Sequence, residues 1–161
     1  MSASSHAGIG HVHLSVSDLE RSLGFYRDLL GFSISARYGD SAVFLSTGGY
    51  HHHIGLNTWA GQGIPPSAAN QAGLYHAAIL YPSRRALAEA LKRLLDAAYP
   101  LEGAADHGVS EAIYLRDPDN IGIELYADRR KESWKVDNDG LVEMVTEPLD
   151  LKNLLAELDA S

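Results

Sequence analysis

The sequence predicts an α+β fold built from two copies of a β-α-β-β-β module, with a short helical tail. Three observations carry that expectation. Alternating apolar positions mark short strands, each half holds one capped amphipathic helix, and the order of elements recurs with residues at near-constant offsets. The chain has 161 residues, of which 45% are apolar and 21% charged. That balance is ordinary for a folded protein, and the length is enough to bury a core.

The elements follow in order. Over residues 10–16, Val12, Leu14 and Val16 alternate with His11, His13 and Ser15, the pattern of a half-buried strand. Ser17 and Glu20 read as an S-x-x-E capping box, and Leu19, Leu23, Tyr26 and Leu30 form the apolar stripe of the helix it starts. Gly31 is placed to end that helix in a left-handed turn. Strands are expected at 32–38, 42–46 and 51–58, separated by the Gly39-Asp40 and Gly48-Gly49 turns. Residues 60–72 lack periodicity and are rich in Gly, Pro, Ser and Ala, so they read as a linker between a first module at 8–59 and a second at 73–128. In the second module a strand is expected at 74–81, and Ser83 caps a helix with Leu87, Leu91 and Leu94 on one face. Further strands are expected near 99–102, 111–116 and 121–126, the last after a turn at Asp117-Pro118-Asp119-Asn120. In the tail, 129–161, Leu151, Leu154, Leu155 and Leu158 suggest a short amphipathic helix after Pro148.

The repeat is visible residue by residue. An offset of 69 carries Ser41 to Ser110, Phe44 to Ile113, Ile54 to Ile123 and Leu56 to Leu125, and an offset of 65 carries His11 to His76. Two such coincidences in matching element order favour a duplicated module over chance.

Composition bounds the function. With 13 basic against 21 acidic residues the net charge is −8, which argues against a surface that neutralises phosphates and hence against nucleic acid. There is no cysteine, so disulfides, thiolate catalysis and Cys-based zinc sites are excluded, and any metal must rest on His, Asp or Glu. No stretch approaches the ~20 apolar residues of a membrane span, and the N-terminus lacks a basic-then-apolar signal pattern. A soluble cytoplasmic protein without membrane partners is expected. Eight histidines are the unusual count.

Three ligand-type residues stand at repeat-related strand positions. His11 and His76 open the first strand of each half, and Glu124 lies in the apolar run Ile121, Ile123, Leu125, where an unpaired carboxylate is costly to bury. Two imidazoles and a carboxylate can hold one face of a metal and leave the other open. Taken singly, each also reads as a hydrogen-bonded core histidine or an edge-strand glutamate. Gly55 falls opposite Glu124 under the 69 offset and no Asp or Glu occurs between Asp40 and Glu89, so the expected site has three ligands. In the run His51-His52-His53, strand parity puts His53 on the Gly55 face, where a neutral imidazole can exchange a proton with a substrate hydroxyl. His52 reads as part of a surface cluster. Tyr114, ten residues before Glu124, shares its face by parity and offers a phenol to a substrate oxygen, or is a plain core aromatic. His107, in the Asp106-His107-Gly108 turn, either overhangs the same cavity or is simply solvated.

Four stretches, GHVHLSVSDLERSLGFYRDLLGF, YHHHIGLNTW, GLYHAAILYPSRRALAEALKRLLDAAYPL and DHGVSEAIYLRDPDNIGIELY, span about residues 8–128. On them the chain resembles the vicinal-oxygen-chelate superfamily of glyoxalases, bleomycin-resistance proteins and extradiol ring-cleaving dioxygenases, above all its catechol-2,3-dioxygenase-like members. The resemblance implies paired βαβββ modules forming a curled mixed sheet around a metal site. It further implies Fe(II), or Mn(II) or another divalent ion, on His11, His76 and Glu124. Catalytic roles follow for His53, Tyr114 and His107, with a small aromatic vicinal diol and O2 as reactants in aromatic catabolism. Extradiol enzymes usually carry four modules and this chain has two; two-module members often form homodimers. The alternatives within the same group are a glyoxalase-like metal-dependent isomerase, which typically uses four protein ligands, and a metal-free ligand-binding protein of the bleomycin-resistance kind.

Overall fold

The computed structural model describes residues 7–68 and 70–159. His6, to which the sequence assigns no role, lies outside them. The chain divides into two compact units, Met1–Pro66 and Ser67–Ser161, each an α+β assembly around one mixed sheet. Among the described residues no helix is long and apolar enough to cross a membrane.

In the first unit β1 (Val12–Ser15), β2 (Ser33–Tyr38), β3 (Ala42–Ser46) and β4 (Ile54–Asn57) form a sheet in the order β1-β4-β3-β2. β1 runs parallel to β4, and the other pairs are antiparallel. Helix α1 (Leu19–Leu23) continues as a π-helical segment, Gly24–Leu29, and Gly31 ends the run at φ 89°. The whole expected stripe of Leu19, Leu23, Tyr26 and Leu30 is buried. Phe25 is buried beside Tyr26, since the wider π turn brings both rings inward. The cap differs from the expected box. Asp18, not Ser17, is the N-cap: its backbone is extended, its Oδ1 accepts the Arg21 N–H at 2.8 Å, and its carbonyl takes the first helical N–H from Ser22. The helix thus begins one residue later, which leaves Glu20 too early to close a capping box.

The second unit has β5 (Ala77–Leu80), β6 (Gly103–Asp106), β7 (Ser110–Arg116), β8 (Gly122–Asp128) and β9 (Glu147–Pro148) in the order β5-β8-β7-β6-β9. Here too the first strand runs parallel to the last of the module, β5 to β8. Ser83 caps α2 (Arg84–Asp96) by accepting the Ala86 N–H. Leu87, Leu91 and Leu94 are fully buried with Ile113, Leu115, Ile123 and Leu125 of the sheet. Burying side chains of this size stabilises by roughly 1.5–3 kcal/mol each. The Asp117 carboxylate accepts the N–H groups of Asp119 and Ile121 and shapes the turn before β8, with Asn120 at φ 65°.

Two strand positions depart from the periodicity. The segment expected as a strand near 99–102 instead closes α2: the Tyr99 N–H returns to the Leu94 carbonyl and its hydroxyl donates to the Arg116 carbonyl at 2.7 Å. The strand lies at Gly103–Asp106, where a Gly-Ala-Ala run has too little side-chain contrast to reveal alternation. Likewise β4 starts at Ile54, so residues 51–53 precede the strand.

The tail adds what the module pattern lacks. β9 pairs with the free edge of β6, where a proline costs no ladder bond. Helix α3 (Leu151–Leu155) then buries Leu154 completely.

Candidate functional site

In the second unit, β7 and β8 set Tyr114 directly across from Glu124. The Tyr114 hydroxyl donates to Glu124 Oε1 at 3.1 Å. The other carboxylate oxygen, Oε2, lies 2.9 Å from Nε2 of His76, just before β5, and the Glu124 side chain is only 13% exposed. Gly122 makes that approach possible. A Cβ there would stand 2.2 Å from the Tyr75 carbonyl oxygen and 3.2 Å from the His76 Cβ, so any side chain would push the His76 segment away from β8.

His107 sits in the turn between β6 and β7, with its Nε2 2.5 Å from the Tyr114 hydroxyl and its Nδ1 2.7 Å from the Val145 carbonyl. The turn is held by Asp106, whose carboxylate accepts the Gly108 N–H at 2.8 Å and pairs with Arg129. Burial opposes ionisation of Asp106, but the Gly108 N–H and Arg129 hold its carboxyl below the ordinary value. Burial, with the Glu124 charge and hydrogen bond behind it, pushes the Tyr114 phenol up to about 12. One cavity is lined by Tyr75, His76, His107, Tyr114, Arg116 and Thr146, the last supplied by the tail. His76, Glu124, Tyr114 and His107, singled out separately from the sequence, therefore form one hydrogen-bonded line.

The first unit carries the corresponding strands with different contents. His13 and Phe44 are the register partners of Gly55 in β1 and β3. A Cβ on Gly55 would meet the His13 ring at 2.8 Å. The space that Glu124 occupies in the second module is thus taken by an imidazole in the first. His13 packs against Phe44 at 5.7 Å and Trp59 at 5.3 Å between ring centroids. The register also corrects the repeat. Phe44 faces Gly55 while Tyr114 faces Glu124, so Phe44 corresponds to Tyr114, not to Ile113. The uniform 69 offset holds for β4 and β8 but slips by one residue between β3 and β7.

His11 lies just before β1, its ring 4.4 Å from that of His52. His52 also packs on Phe44 at 5.0 Å, and its Nδ1 is 2.8 Å from that of His51. Burial and the neighbouring His11 and His51 hold the His52 imidazole below its ordinary value. His53 turns elsewhere: its Nδ1 accepts the Thr47 N–H at 3.3 Å, and its ring lies 4.9 Å from Tyr50. Parity assigned His53 to the Gly55 face, but His52 is the residue packed on His11 and Phe44. Parity fails because residues 51–53 precede the strand and do not alternate as strand residues do.

Among the described residues no three His, Asp or Glu side chains are gathered into one metal-binding group. The sequence reading also missed Gly122, Val145, Thr146 and the ring of His13. Gly122 carried a signal, as the glycine two residues before Glu124; the others are brought in by tertiary packing alone.

A model of the Glyoxalase/Bleomycin resistance protein/Dioxygenase superfamily matches residues 8–125. The catechol-2,3-dioxygenase of Bacillus subtilis (strain 168) is 40% identical over 149 residues, 92% of this chain and 51% of that protein. A manganese-dependent 2,3-dihydroxybiphenyl 1,2-dioxygenase of Geobacillus genomosp. 3 is 28% identical over 130 residues, 78% of this chain and 38% of that protein. The chain therefore spans about half or less of the length of these relatives. A glyoxalase/dioxygenase structure from Nostoc punctiforme superposes with a TM-score of 0.65 at 17% identity, covering 81% of this chain and 97% of that one, which speaks for the fold.

Proposed function

This chain belongs to the Glyoxalase/Bleomycin resistance protein/Dioxygenase superfamily, and on that premise we propose that it is a metal-dependent extradiol-type dioxygenase that cleaves the ring of a catecholic substrate. The observation that carries the reading is the line His76–Glu124–Tyr114–His107, in which His76, Tyr114 and His107 line one cavity. The similarity to a catechol-2,3-dioxygenase supports it.

The residues present suit a divalent ion. An imidazole nitrogen and a carboxylate oxygen 2.9 Å apart are donors of the kind that Fe(II) and Mn(II) accept. The second carboxylate oxygen is already held by Tyr114, the sort of orienting hydrogen bond that ligating carboxylates use. In this reading His76 and Glu124 supply ligands from the second unit, and His11 is the third ligand that the family resemblance implies. When bound, the ion supplies Lewis acidity and a meeting point for the diol and O2.

The rest is done by the chain's own side chains. His52 takes the acid–base role that strand parity gave to His53: held below its ordinary protonation range, it accepts a proton from a substrate hydroxyl and returns it later. The Tyr114 phenol stays protonated well beyond neutral pH, and its oxygen can accept a hydrogen bond from a substrate hydroxyl. His107 holds that phenol from behind. Tyr75 and Arg116 line the cavity and offer a ring face and a charge to an aromatic substrate.

The test is anaerobic. The protein is loaded with Fe(II), mixed with catechol, and then exposed to oxygen. A yellow ring-cleavage product is expected, with metal uptake lost in Glu124→Ala. Stoichiometric iron retained in that variant, or uptake without turnover of any vicinal diol, would overturn the reading. His52→Ala is expected to lower kcat by roughly 100- to 10,000-fold, the range of a lost general base, while His53→Ala stays near wild type. The reverse order would return the role to His53.

A further inference from the structure

We propose that the C-terminal tail is a positioning element of the candidate site: the Val145 carbonyl holds His107 as its Nδ1–H tautomer, and so makes Nε2 the acceptor that aims the Tyr114 hydroxyl. The inference rests on the reading above insofar as Tyr114 and His107 serve that site.

The argument begins with what each atom can do. A backbone carbonyl only accepts hydrogen bonds, so an imidazole nitrogen 2.7 Å from the Val145 oxygen must carry the hydrogen. In the neutral ring the other nitrogen is then a bare acceptor. That nitrogen, Nε2, lies 2.5 Å from the Tyr114 hydroxyl, which can donate its single hydrogen to it. The phenol has a second acceptor, Glu124 Oε1, but at the longer 3.1 Å. With His107 fixed as Nδ1–H, Nε2 gives the Tyr114 hydrogen a second acceptor nearer than Glu124 Oε1, and the hydroxyl is aimed between the two. With the opposite tautomer, Nε2–H would donate to the phenol oxygen and the hydroxyl would turn to Glu124, but a bare Nδ1 would then face the Val145 carbonyl, two acceptors 2.7 Å apart.

The tail is built to hold that carbonyl still. The Val145 N–H donates back to the His107 carbonyl at 3.2 Å, so the two residues clasp each other twice. Two and three residues on, Glu147 and Pro148 pair with Asp106 and Ala105 of β6. Beyond them α3 is anchored by buried Leu154 and by Arg84, which reaches Asn153 Oδ1 at 2.8 Å and Glu157 Oε1 at 2.6 Å. Between the clasp and the strand, Thr146 lines the cavity itself. A tail that only covered hydrophobic surface would not need to present a carbonyl to a site histidine.

The test reads the tautomer directly and needs neither metal nor turnover, so it can fail while the proposed activity stands, and the reverse. The full-length chain is prepared with isotope-labelled histidine nitrogens, and long-range proton–nitrogen spectra are recorded above the histidine titration range. His107 is assigned by the signals lost in His107→Gln. A protonated Nδ1 and a bare Nε2 are expected for His107. The same pattern is expected to persist in Tyr114→Phe, because the tail and not the phenol sets it. A bare Nδ1 in the wild-type chain would overturn the proposal. So would a reversal to the Nε2–H form in Tyr114→Phe, which would assign the tautomer to Tyr114 instead.

Discussion

At the scale of single residues, two glycines decide what each module holds. Gly122 admits the chain segment that carries His76, and its missing side chain is the condition for the contact with Glu124. Gly122→Ala must displace backbone, not the tip of a flexible side chain. It is expected to cost roughly 1–3 kcal/mol, the usual range for overpacking, and to weaken metal binding at the same time; urea unfolding and a metal titration check the two parts. Gly55 is different, because the neighbour a Cβ would meet is the His13 ring. Gly55→Ala is expected to destabilise the chain, and His13→Ala to relieve most of that loss, so a double-mutant cycle should return a coupling of about 0.5–3 kcal/mol. Additive effects would mean that the ring is not what fills the space. Within the first module, Gly55, the counterpart of Glu124 in the repeat, faces an imidazole.

Among the elements, one buried charge is tied to the tail. Glu111 is buried, with Arg84 at 2.7 Å on one side and Arg129 at 2.9 Å on the other, and Arg84 continues to α3 while Arg129 continues to Asp106 at the His107 turn. One ionic network thus joins α2, β7, the turn and the tail helix, and leaving Glu111 without partners would cost far more than a surface pair gains. The depressed Asp106 carboxyl sets the sign of its pH response. Its contribution is present above the ordinary carboxyl value of 3.8 and lost as pH falls through the lower folded value. In thermal melts the deficit of Arg129→Met relative to wild type should therefore be largest near neutral pH and shrink in acid. A deficit independent of pH would assign the loss to packing of the arginine stem. At the alkaline end, the raised Tyr114 phenol predicts that ultraviolet titration of wild type minus Tyr114→Phe shows one tyrosine ionising near 12, above the ordinary 10.0.

For the whole molecule, the proposed metal links ligand binding to stability. An ion that binds only the folded chain stabilises it by about 2.7 kcal/mol at a hundred times its Kd. Fe(II) or Mn(II) is therefore expected to raise the Tm and a chelator to reverse the rise. Neither should affect Glu124→Ala, and equal shifts in that variant would place the ion elsewhere. Much of this architecture was legible in the sequence. Period-two strands, helical stripes and the recurrence of His11 at His76 depend on local chemistry that each segment carries with it, and the facing of Tyr114 and Glu124 follows from parity across a short turn. Other features were not legible. A stretch of Gly and Ala shows no alternation, so β6 was expected four residues early. One residue of slip between β3 and β7 moved the counterpart of Phe44 from Ile113 to Tyr114 without disturbing any apolar pattern. Which of His52 and His53 packs on Phe44 turned on where β4 begins, which is set by its pairing with β1 and β3. The sequence by itself determined the modules, their order and the residue types available for chemistry, because burial and backbone preference act over a few residues. Only the tertiary structure decided which histidine packs on His11, which glycine opens the way to Glu124, and that Val145 meets His107 from thirty-eight residues away, because those contacts are made by packing between segments that no local pattern connects.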